Sequence, residues 1–123
     1  MSLVYHITTR NAALKARQSG VYHPASLMRE GFIHFSQRRQ ILDVANAFYR
    51  GQRKLVLLEI ETERLKAELR HEPPIHPANS STLPASSSLF PHLYGPLNMD
   101  AVVNMIDFPC GADGLFTLPP SLS

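Results

Sequence analysis

Three histidines stand out because each lies inside a short apolar or aromatic stretch: His6 in Leu3-Val4-Tyr5-His6-Ile7, His34 in Gly31-Phe32-Ile33-His34-Phe35-Ser36, and His92 in Phe90-Pro91-His92-Leu93-Tyr94. Imidazole exchanges protons near neutrality, so three of them point to acid–base chemistry or to holding an anionic ligand. Each also has a plainer reading, as a hydrogen-bonded histidine of the core. Three imidazoles are an accepted zinc set too, but no HxH or HxxxH spacing supports one, and no metal site is expected.

Other polar residues sit close to these stretches. Ser36 reads first as the cap of the helix that follows it, and second as a hydroxyl for a ligand. Tyr94, before Gly95-Pro96, either ends a strand at a turn or stacks on a ligand ring. Arg10, Arg38 and Arg70 are the cations available to an anion. Arg38-Arg39 would occupy the first turn of a helix, where the dipole disfavours positive charge, which leaves phosphate contact or a solvated face as their roles. Glu72 is a carboxylate that would have to reach the same region from another strand, and its position is not fixed by the sequence.

The elements that must position these groups follow from periodicity. Leu3 to Ile7 reads as a strand apolar enough to be central. A helix over Ala12–Gln18 should stop at Gly20, and Ser26–Glu30 should form one turn that Gly31 breaks. In the stretch from Gly31 to Ser36, Phe32 and His34 would share one face of a strand, with Ile33 and Phe35 on the other. The strongest helix spans Gln37–Arg50, with Ile41, Val44, Ala45 and Phe48 on one buried face. Leu55–Ile60 reads as a strand covered on both sides. Leu69–Glu72 and Ala101–Phe108 are further strands. Residues 75–88, rich in Ser, Pro and Asn, read as a flexible surface loop, and 109–123 as an irregular, peripheral tail. The order implies one α+β domain over 1–108 with two main helices, built either as two layers or as a split sheet.

The 123 residues carry a formal net charge of +2, with 18% charged residues and one cysteine, Cys110. That charge is too small to argue for nucleic acid, and a single thiol forms no intrachain disulfide. With no long apolar run, a cytoplasmic protein without membrane contact is the expectation; the sequence is silent on oligomeric state.

Tyr5-His6-Ile7-Thr8, Gly31 to Ser36 and Phe90 to Leu97, together with Pro24-x-Ser26-Leu27 and Glu72-Pro73, resemble the bacterial domain-of-unknown-function family 952 over roughly Val4 to Phe108. The loop 75–88 resembles an insertion relative to that pattern. The family is in turn distantly similar to the ADP-ribosyltransferase superfamily, which implies a split sheet around a nucleotide cleft with no tightly bound cofactor and NAD as a substrate. On that resemblance His6 and Ser36 would hold ribose or phosphate, His34 and Tyr94 would pack a ring, and His92 would serve as acid–base group. Arg10 and Glu72 would assist in binding. No glutamate stands in the third motif, where transferases carry one. That departure favours a non-catalytic module binding a small ligand or partner; a metal-dependent hydrolase is a further alternative.

Overall fold

The computed structural model describes residues 2–73 and 89–122, so the expectation for 75–88 lies outside the described residues. The chain runs β1 (Leu3–Thr9), α1 (Arg10–Ser19), β2 (Val21–Tyr22), α2 (Ala25–Glu30), β3 (Ile33–His34), α3 (Ile41–Phe48), β4 (Leu55–Glu61), β5 (Glu68–Glu72), β6 (Phe90–Tyr94), β7 (Leu97–Asn98) and β8 (Val102–Asp107). It is an α+β fold of small antiparallel sheets: β1-β4-β8, β3-β6-β5 and the pair β2-β7. The first strand is not central as expected. β4 takes the middle of its sheet, and the far edge of β1 makes one bridge, Tyr5 to Ser36, that joins the two larger sheets.

Period two explains how the faces are filled. On β4, Val56, Leu58 and Ile60 pack in one core cluster while Leu55 and Leu57 pack in another. β1 alternates in step, sending Val4 to the first cluster and Tyr5 and Ile7 to the second. His6 and Thr8, two and four residues after Val4, therefore face the first cluster. In the second large sheet Ile33 and Leu93 join that cluster, with Leu69 packed against it. Phe32, His34, His92 and Tyr94 meet on the opposite face.

Three local expectations are corrected. Ser36 does not cap a helix, because its backbone is engaged with Tyr5, N–H to carbonyl in both directions at 2.7 and 2.8 Å. A 3-10 turn over Arg38–Gln40 comes first, closed by a capping box between Gln37 and the fully buried Gln40, and α3 starts only at Ile41. Residues 109–122 are irregular but not peripheral: Phe116 and Leu122 complete the second core cluster. Asn46 of α3 fixes this segment, its Oδ1 accepting from the Phe116 N–H at 2.7 Å. The glycine stops hold, with Gly20 and Gly31 both at φ 87°, a left-handed conformation that other residues adopt at a cost.

Candidate functional site

A cavity of about 420 Å³ opens where β1, α2, β3, α3 and β6 meet, and His6, His34 and His92 all line it. Register brings two of them together. His34 and His92 are directly opposite across the β3–β6 pair, their rings 5.4 Å apart and edge to face. Phe32 stacks on His92 at 4.3 Å and tilts against His34 at 4.8 Å, so both imidazoles are held by one buried ring.

His6 is anchored at both nitrogens. Its Nδ1 lies 2.7 Å from the His34 carbonyl and its Nε2 2.8 Å from the Tyr22 hydroxyl, which is 3.0 Å from Thr8 Oγ1. A carbonyl only accepts, so Nδ1 carries the proton. In the neutral ring Nε2 then accepts from Tyr22, and the Thr8 hydroxyl completes the chain. Burial pushes the imidazole down from 6.5 to about 4, with the His34 carbonyl opposing that shift. Neutral at pH 7 and saturated with partners, His6 ties β1 to β2 and β3 and carries no charge toward a ligand.

His92 is buried differently. At 1% exposure, it donates Nδ1–H to Glu72 Oε1 at 2.9 Å, and the same oxygen accepts from the Tyr94 hydroxyl at 2.6 Å. Burial lowers the His92 pKa in spite of the adjacent carboxylate. Glu72 is held below its ordinary range by the Tyr94 hydrogen bond first and the His92 bond second. No buried side-chain nitrogen or oxygen among the described residues lacks a hydrogen bond. Among the described residues the His92 side chain hydrogen-bonds only through Nδ1, which leaves the lone pair on Nε2 of a ring that lines the cavity.

The remaining expected residues separate into those at the cavity and those away from it. Ser36 lines the wall. Glu72 stands behind His92 rather than in the cavity. Tyr94 does not present a face to it either: the ring packs on Phe32 at 5.3 Å and lies 4.2 Å beneath the Arg70 guanidinium. Arg10 is drawn to the outer edge of the first sheet by an ion pair with Asp107.

Sequence reasoning missed four contributors. Tyr22 and Thr8 close the His6 chain, and Glu30 and Arg29 stand at the mouth, both exposed on α2. Glu30 Oε1 accepts from His34 Nε2 at 2.9 Å, and their i,i+4 spacing was the available signal. Gly31 hid it by interrupting the helix between them. The apolar wall is Val44 and Phe48 of α3, with Phe35, Tyr49 and Phe90. Among the described residues no group of three or more His, Cys, Asp or Glu gathers to hold a metal ion. None of the described helices is long and apolar enough to cross a membrane.

A family described as "protein of unknown function (DUF952)" matches residues 7–105. The chain belongs to this family. His34, Glu72 and His92 lie within the DUF952 match, His6 one residue before it, and the packed tail beyond it. Two crystal structures of protein CC0527 from Caulobacter crescentus are similar, the unmutated form at 33% identity and a double mutant at 32%. Each has a TM-score of 0.81 and covers 98% of both chains. The solution structure of CC0527 is 32% identical with a TM-score of 0.69, over 94% of this chain and 91% of that one. No curated protein matches.

Proposed function

We propose that the cavity is a nucleotide-binding cleft of ADP-ribosyltransferase-like type, with NAD as the ligand to test first. The composition of its wall carries this reading. Tyr49, Phe48 and Phe90 supply apolar and aromatic surface for a ring, while Thr8, Ser26 and Ser36 supply hydroxyls for ribose. Arg29 offers a phosphate its guanidinium, and Glu30 supplies the carboxylate absent from the third motif. A carboxylate is the group that stabilises an oxocarbenium-like ribosyl centre, and at the cavity mouth it is oriented by the His34 imidazole. The antiparallel sheets meeting at one cavity are compatible with the split-sheet arrangement that the resemblance implies. In this reading His6 acts through its neighbours, as a positioning residue, and His34 and His92 are the imidazoles that face the ligand.

Calorimetric titration with NAD and ADP-ribose tests it. Saturable binding is expected, weakened about 10-fold or more in Arg29→Ala and in His34→Ala, as loss of a charge-assisted hydrogen bond implies. Absence of heat and of any thermal shift with either compound would sink the nucleotide reading. A second reading, binding without turnover, is favoured by one specific observation: both nitrogens of His6 are engaged by the protein itself. Binding of NAD with no chemical change over hours would select it.

A further inference from the structure

We infer that the cleft hydrolyses its ligand, using a water molecule that His92 activates; the inference rests on the nucleotide reading above and extends it from binding to a reaction. Three features around His92 carry it. The His92 ring is almost wholly buried, yet among the described residues Nε2 has no hydrogen-bond partner, and the ring lines the cavity. Its Nδ1–H is spent on Glu72, which fixes the tautomer that leaves a lone pair on Nε2. The Glu72 carboxylate, itself held by the Tyr94 hydroxyl, stabilises the imidazolium that forms when Nε2 takes a proton.

The position of the base decides what it can deprotonate. A nucleophile offered by another macromolecule cannot be carried to a ring that is 1% exposed in the wall of a 420 Å³ cavity. Water can. With NAD bound, one O–H bond of water breaks and its proton passes to Nε2, while the oxygen bonds to ribose C1′. The C1′–N bond breaks and nicotinamide leaves as a neutral molecule with the electron pair. The imidazolium then returns its proton to solvent, giving ADP-ribose, nicotinamide and one proton from NAD and water. Glu30, at the mouth, stabilises the positive charge that develops on the ribosyl centre. His92 is thus the catalytic base and Glu72 a positioning residue.

The test incubates the full chain with NAD and follows nicotinamide and ADP-ribose by chromatography, the mass of the intact chain by mass spectrometry, and NAD binding by calorimetry. Equimolar nicotinamide and ADP-ribose with unchanged chain mass is expected, with turnover at saturating NAD reduced at least ~100-fold in His92→Gln, a variant checked for folding by its thermal unfolding. Glu72→Gln supplies the independent readout: the acidic limb of its pH–rate profile moves to lower pH, since the carboxylate raises the His92 pKa. NAD binding without nicotinamide release overturns hydrolysis and leaves the nucleotide reading standing, as does turnover in His92→Gln equal to wild type. Nicotinamide release with an ADP-ribosyl mass added to the chain also overturns it, in favour of transfer. Failure to bind NAD overturns the nucleotide reading as well.

Discussion

Two buried imidazoles of this fold, His6 and His92, are alike in depth and opposite in what surrounds them. His6 meets a carbonyl and a tyrosine hydroxyl, both neutral, and has no nitrogen left over. His92 meets a carboxylate at one nitrogen and the cavity at the other. Burial lowers both pKa values, so depth alone does not separate a histidine that holds a fold together from one available to a ligand. Occupancy of the second nitrogen does. The contrast follows from strand register: His6 looks into the junction of β1, β2 and β3, whereas His92 has Glu72 of β5 on one side and His34 of β3 on the other.

The comparison breaks most easily at His6. Replacing it with Ala deletes two hydrogen bonds, leaves the Tyr22 hydroxyl with Thr8 alone, and opens a void, for a loss of about 4 kcal/mol in urea unfolding. Stability unchanged in His6→Ala would mean the chain of hydrogen bonds does not hold the sheets together.

The pH dependence comes next. The unfolded chain protonates His6 near 6.5 and the folded chain only near 4, so stability is fully present above pH 6.5 and falls as pH falls through that window. The loss is about 3 kcal/mol by pH 4, at about 1.4 kcal/mol for each pH unit crossed between the two values. His92, lowered by burial, adds in the same direction, and Glu72, also lowered, contributes a loss as pH falls through the carboxylate range. Urea unfolding at pH 7 and pH 4.5 measures it, and a His6→Gln variant is expected to flatten the difference.

Smaller effects sharpen the contrast. Tyr22→Phe removes one buried donor and is expected to cost about 1–2 kcal/mol, with no effect on the His92 ring. Glu72→Gln is expected to lower stability at pH 7 slightly, as protonating Glu72 does, and to move the His92 titration midpoint downward, because the carboxylate that favours the charged form is gone. An upward move, followed by NMR, would contradict the assigned pairing.

Much of this arrangement was legible in the residues, because alternation fixes faces. Val56-Leu57-Leu58 told of a strand covered on both sides, and Phe32 with His34 of a shared face. What stayed hidden depended on contacts between distant segments. The tail 109–122 has no periodicity, and only its docking on α3 through Asn46, with Phe116 and Leu122 filling the core beside Ile41, reveals why β4 is apolar on its second face. Ser36 has the composition of a cap, but its backbone serves a bridge to Tyr5, and Gln37 takes the cap. At the site, the histidines drew notice because polar rings are conspicuous in apolar strands. Tyr22 and Glu30 did not, since a tyrosine on a two-residue strand and a glutamate at a helix end are ordinary until the fold supplies their partners.

The most direct test of the contrast between the imidazoles is a long-range ¹H–¹⁵N spectrum at pH 7, recorded during a titration with NAD. His6 and His92 are both expected as neutral rings protonated at Nδ1. On titration the His92 Nε2 resonance should move, while both His6 nitrogens remain in place. A His92 ring protonated at Nε2 in the free protein, or a ligand response at the His6 nitrogens with none at His92, would contradict the account.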